Sequence, residues 1–95
     1  MSRSYAFSKY PNAIRHYRRK RHFRLKDMAV LLQHRSAAHV AHWEKGRKLP
    51  SLPNLLKLSA ILKCPVELLY GNRFNAIRGD ILRLKQQHGI FERYD

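Results

Sequence analysis

Leu25-Lys26-Asp27-Met28-Ala29-Val30-Leu31-Leu32-Gln33-His34-Arg35-Ser36-Ala37-Ala38-His39-Val40-Ala41-His42-Trp43-Glu44-Lys45-Gly46 is the stretch that decides the fold. Leu25, Met28, Ala29 and Leu32 recur at i, i+3, i+4 and i+7, the stripe of a short amphipathic helix over about residues 25 to 33. Asp27 in its first turn opposes the positive end of the helix dipole. Gln33-His34-Arg35 breaks the stripe. Ser36 is then placed to cap a second short helix to about Lys45, with Val40 and Trp43 turned inward. Gly46 stands just beyond, where a left-handed backbone favours glycine. Two short helices joined by a tight turn and followed by the basic loop Lys45 to Pro50 are the plan of a helix-turn-helix.

Working outward, Asn12 is predicted to cap a helix over about residues 13 to 21, with Ile14, Tyr17 and Arg18 on its inner face. Before it, residues 1–11 carry Tyr5, Phe7 and Tyr10 without a helical period and read as an N-terminal arm. Downstream, Ser51 caps a helix over about 52 to 62, tolerating Pro53 in its first turn and offering Leu52, Leu55, Leu58 and Leu62 to the core. Cys64-Pro65 ends it, Val66 to Tyr70 forms a short fifth helix, and Phe74, Ile77, Ile81 and Leu84 keep a helical period to about Gln87. The expected architecture is all-α. A compact five-helix domain occupies residues 12–71, and residues 72–95 form a C-terminal helix and tail. The Phe74, Ile77, Ile81, Leu84 stripe either packs on its own domain or forms the seam of a homodimer.

The chain's 95 residues and 11.3 kDa allow one modest core, which excludes a two-domain enzyme. A formal charge of +14 points to a polyanionic partner. That partner should meet the first half. Residues 1–48 hold thirteen Lys/Arg against Asp27 and Glu44, whereas residues 49–95 hold seven against four acids. The single Cys64 cannot form an intrachain disulfide, and no apolar run reaches a membrane span, so residence in the cytoplasm is expected. His39 and His42 share a helix at i, i+3, but no HExxH or CxxC spacing supplies further metal ligands. Ser36 and Ser51 read as caps, and no glycine-rich phosphate loop exists. No metal, cofactor or catalytic role is therefore expected.

The residues Ile14-x-x-Tyr17-Arg18, Leu25-x-x-Met28-Ala29-x-x-Leu32, Ser36-x-x-x-Val40-x-x-Trp43-Glu44-x-Gly46, Pro50-Ser51-Leu52-x-x-Leu55-x-x-Leu58 and Val66-x-x-Leu69 run in one order along the chain. In that order and spacing they resemble the Cro/repressor-type, lambda-repressor-like helix-turn-helix domains, the XRE family. The resemblance covers about Asn12 to Tyr70. It implies double-stranded DNA as the partner, a repressor-type regulatory role, and an ion pair between Arg18 and Glu44 tying the first helix to the third. Three positions depart from the pattern. The turn is one residue longer and lacks the usual Gly, Arg24 stands where a Ser or Thr cap is usual, and Cys64 stands where Val is frequent.

On that plan the helix at 36 to 45 enters the major groove. Ala37, Ala38, His39, Ala41 and His42 are then free to meet base edges, joined by Gln33 and Arg35 from the turn. Arg24, Lys26, Ser36, Lys45, Arg47 and Lys48 are placed for phosphates. Some members of the family are antitoxins. The alternative reading is accordingly an antitoxin-like or adaptor domain that binds a protein, with DNA binding secondary.

Overall fold

The computed structural model describes residues 8–93, and among these the chain forms six helices and no strand. They are α1 (Ile14–Lys20), α2 (Leu25–Leu31), α3 (Ala38–Glu44), α4 (Leu52–Leu62), α5 (Val66–Leu69) and α6 (Gly71–His88). Ile14 of α1, Met28 of α2, Val40 and Trp43 of α3, Leu58 and Leu62 of α4 and Leu69 of α5 all meet in one core. Cys64 and Tyr70 complete it from the connections, so the thiol is a buried apolar filler.

Local chemistry explains each boundary. At α1, Asn12 Oδ1 accepts the Ile14 N–H at 3.1 Å, although Ala13 occupies the cap position itself. At α2, Arg24 cannot accept a hydrogen bond, and Asp27 does the capping from inside the helix. Its carboxylate accepts the Arg24 backbone N–H at 2.7 Å and the Arg24 guanidinium at 3.2 Å. Those two bonds hold the Asp27 carboxyl below its ordinary range, the side-chain bond more than the backbone one.

The turn differs most from expectation. α2 stops at Leu31, not residue 33, because Gln33 takes a left-handed backbone at φ 60°. The His34 N–H then returns to Ala29 O at 2.8 Å and the Gln33 N–H to Val30 O at 3.0 Å, a helix stop made without glycine. Ser36 does accept an orphan donor, the Ala38 N–H at 3.3 Å, but helix geometry starts only at Ala38. The third helix is therefore Ala38–Glu44 and not 36 to 45. Gln33, Arg35, Ser36 and Ala37 all lie on the connection.

At α4, Ser51 Oγ accepts the Asn54 N–H at 3.4 Å and the helix ends on a left-handed Lys63 at φ 52°. Leu58 and Leu62 are buried, but Leu52 is 67% exposed, which corrects its assignment to the core. It sits in the first turn, beyond the edge of the α1 contact. Arg21 has a structural use: its Nε donates to Leu62 O at 3.0 Å and its Nη2 to Lys63 O at 3.4 Å, satisfying carbonyls at the end of α4. α6 packs against α5 and buries none of its own residues, so its apolar stripe does not join the domain's core.

One polar contact runs through the interior. Arg18 Nε donates to Glu44 Oε2 at 2.6 Å and Nη2 to Oε1 at 3.2 Å, while Nη1 donates to Phe23 O at 2.9 Å. Both side chains are about nine-tenths enclosed. Glu44→Gln should cost about 3 kcal/mol in denaturant unfolding because it leaves a buried guanidinium without its counter-charge. Arg18→Met combined with Glu44→Leu should recover most of that loss. At α2, Asp27→Asn should lower the thermal midpoint at neutral pH. The carboxylate's contribution is full above its ordinary value of about 3.9 and is lost as pH falls through its depressed folded value, so wild type and variant should converge in acid.

Candidate nucleic-acid interface

With Val40, Trp43 and Glu44 turned into the protein, the outer face of α3 is built from what remains. Ala38 and His39 are exposed, and Ala41 and His42 are half-buried beside them. Alanine at two of these four positions keeps the rod slim, so a groove wall can approach its backbone. Ala37, half-buried, and the exposed Gln33, Arg35 and Ser36 flank the helix from the turn.

His39 stands where two recesses meet. One is lined by His39, His42, Trp43, Lys48, Leu49 and Ser51. The other is lined by His34, Arg35, Ser36, His39 and Asn54. The structure thus brings both α3 histidines together with Lys48 on one side, and His39 together with Arg35 and Ser36 on the other. Lys45 and Arg47 are exposed on the same loop as Lys48. Arg24 and Lys26 are exposed at the start of α2, but the Arg24 guanidinium is already paired with Asp27, which leaves Lys26 as the free cation there among the described residues.

Two residues of this surface escape a reading of the sequence. The His34 ring stands edge-on to His39 with centroids 5.4 Å apart, and edge-on to Trp43 at 5.8 Å. It braces the His39 imidazole between the turn and the core. Its Nδ1 is buried and has no hydrogen-bond partner among the described residues. Asn54 arrives from the first turn of α4, remote in sequence from α3, and no local pattern announces it.

The loop after α3 is held from behind by residues 8–12. Ser8 Oγ donates to Lys45 O at 2.9 Å, and the Tyr10 N–H donates to Gly46 O at 2.9 Å. Asn12 Nδ2 donates to Trp43 O at 2.7 Å and to Tyr10 O at 2.9 Å. Trp43 O, Lys45 O and Gly46 O lie at or just beyond the end of α3, where carbonyls lack a full set of helical partners. The strap sits so close that a Cβ on Gly46, whose φ is 71°, would lie 1.7 Å from Ser8 Oγ and 2.8 Å from Tyr10 O. The aromatic residues Tyr5 and Phe7 of the expected arm lie outside the described residues.

Two packed short helices, the second carrying a slim polar face beside a strapped basic loop, define a helix-turn-helix domain. A family model described as Helix-turn-helix matches residues 14–69, more than half of the chain, from the start of α1 to the end of α5. The chain belongs to this family, the lambda-repressor-like XRE type of DNA-binding regulatory domain. A search of curated proteins finds no match. No described helix is long and apolar enough to cross a membrane, and no group of three or more metal-ligating side chains occurs among the described residues.

Gly46→Ala should be costly twice over. Alanine disfavours the left-handed backbone by roughly 1 kcal/mol, and its methyl group must push Ser8 and Tyr10 off the loop. Unfolding should show that loss for Gly46→Ala, whereas Gly79→Ala, in mid-helix where a Cβ meets nothing within 4 Å, should show none. Backbone exchange at residues 45–48 should also quicken.

Proposed function

We propose that this chain is a repressor-type transcriptional regulator that reads double-stranded DNA by laying α3 in the major groove. The observation that carries the reading is the shared recess in which His39 and His42 of α3 meet Lys48 of the following loop. A base-reading face beside a phosphate-holding loop is what a duplex demands, because bases and phosphates are reached together.

In this docking His39 supplies most of the polar readout, and His42 divides between base edge and phosphate. Ala37, Ala38 and Ala41 pack on thymine methyl groups. Gln33 and Arg35 reach bases from the connection instead of from the helix, since α3 starts at Ala38. Lys45, Arg47 and Lys48 hold one phosphate strand, and Lys26, Ser36 and Arg24 hold the other, Arg24 at the expense of its pairing with Asp27. With no Arg, Asn or Gln on α3, strong bidentate base contacts are missing from the helix itself. Part of the discrimination then falls to DNA shape. The buried Cys64 suits the reducing cytoplasm where such a regulator works.

Selection of bound duplexes from a random pool should return a preferred sequence. Log affinity against log salt should slope at roughly −4 to −5 per protomer for ~4 to 6 neutralised phosphates. Arg47→Glu with Lys48→Glu should weaken binding to every duplex alike. His39→Ala should instead narrow the gap between preferred and unrelated duplexes by about 1 kcal/mol. A flat salt dependence, or the reverse pattern between these variants, would overturn the docking.

A further inference from the structure

We propose that α6 is an interfacial helix that lays its apolar stripe on an anionic phospholipid surface, a binding function separate from the duplex reading. The helix spans eighteen residues and buries none of them. Phe74, Ile77, Ile81 and Leu84 remain 42%, 52%, 48% and 52% exposed, and past the helix end Ile90 and Phe91 are 58% and 66% exposed. An isolated helix of this length is marginal in water, and Asn72, Asn75 and Gly79 weaken it further. A surface that covers the stripe would firm the helix.

The placement of the charges says what kind of surface fits. Arg73 precedes Ile77 by four residues, and Arg78 and Lys85 follow Phe74 and Ile81 by four, so cations border the stripe along both of its edges. The face opposite the stripe is made of Asn72, Asn75, Gly79 and Gln86, all uncharged. The single acid of α6, Asp80, is paired with Arg83 on the same helix. Solubility alone would set the charges on the far side, in water. Cations at the boundary suit a partner that is apolar in depth and anionic at its rim, because their stems lie along the apolar zone while their heads reach the charge.

Few partners combine those two properties. A duplex is anionic but presents little continuous apolar surface to four such side chains. A second copy offers an apolar stripe but brings its own charge of +14. A leaflet with acidic headgroups supplies both, and its fluidity also takes in Ile90 and Phe91, which lie beyond the left-handed Gly89 and outside the helix. The helix lies on the leaflet without crossing it, since no described helix is long and apolar enough to span one. Arg73 leans over the Tyr10 ring at 5.8 Å from its centroid, which ties that end of α6 to the body and leaves Arg78 and Lys85 to meet the headgroups. His39, His42 and Lys48 belong to α3 and its loop, so the lipid face and the duplex face are built from different elements.

The test is co-sedimentation of the whole chain with vesicles of phosphatidylglycerol and phosphatidylcholine, compared with vesicles of phosphatidylcholine alone, at physiological salt. Binding is expected to the mixed vesicles and not to the neutral ones. Ile77→Ser with Ile81→Ser leaves every charge in place and should weaken that binding on the order of 20-fold. Leu82→Ser, off the stripe, should leave it unchanged. Arg78→Gln and Lys85→Gln should each weaken it roughly fivefold. Leu84→Trp should add an emission that moves to the blue on mixed vesicles and is quenched by brominated acyl chains. Absence of binding, binding that the two serines leave unaltered because the basic loop adsorbs by charge alone, or a Leu84→Trp emission that stays that of an indole in water would each overturn the proposal. So would a stripe already covered in a dimer that vesicles do not disturb. Arg47→Glu with Lys48→Glu should leave the blue shift in place, and the two serines should leave the duplex salt slope and the His39 result in place, so either reading can fail without the other.

Discussion

The buried pair between Arg18 and Glu44 is the constraint on which the rest depends. Removing two charges from water costs several kcal/mol, and the protein recovers it only through good geometry: a two-pronged guanidinium–carboxylate contact with the third arm satisfied by Phe23 O. A hydrophobic pair of similar volume would hold the core as well or better. What the ion pair adds is position. Glu44 is the last residue of α3 and Arg18 lies in the middle of α1, so their match fixes the axial register of α3 against the body. A slide of one turn would leave both charges buried and alone.

That register is needed because α3 has only seven residues and no intrinsic stability. Val40 and Trp43 anchor its inner face, the ion pair fixes its end, and the Ser8–Asn12 strap takes up its open carbonyls. The same strap presses on Gly46, so the basic loop and the end of α3 move as one body. His34, wedged against Trp43, extends this rigidity to the His39 imidazole. The imidazole that the proposed docking assigns to readout is thereby held in place beforehand, which would lower the ordering cost of binding.

Much of this was legible in the residues, and the parts that were not share a cause. The stripes of α2 and α4 give their faces directly, and Trp43, Glu44 and Gly46 mark the end of α3. The beginning of α3 was misplaced because its stop signal upstream, a left-handed Gln33, carries none of the glycine that usually announces one. Asp27 read as a dipole partner, whereas its larger use is to cap for an Arg24 that cannot. Arg21 belongs to the basic stretch Arg15 to His22, whose charges do not differ by sequence alone, and only the approach of α4 gives it two carbonyls to satisfy. His34 and Asn54 join the candidate site through contacts between segments distant in sequence. Periodicity reports which face of a helix is apolar. It does not report what that face meets.

The composition of α3 bears on why one copy would be a poor reader. The protomer's charge attracts every duplex equally, so it raises affinity without raising preference. Preference must come from base edges, and in the proposed docking α3 offers two imidazoles and alanines but none of the bidentate pairs worth about 1–3 kcal/mol each. Against a large excess of unrelated sites that margin is thin.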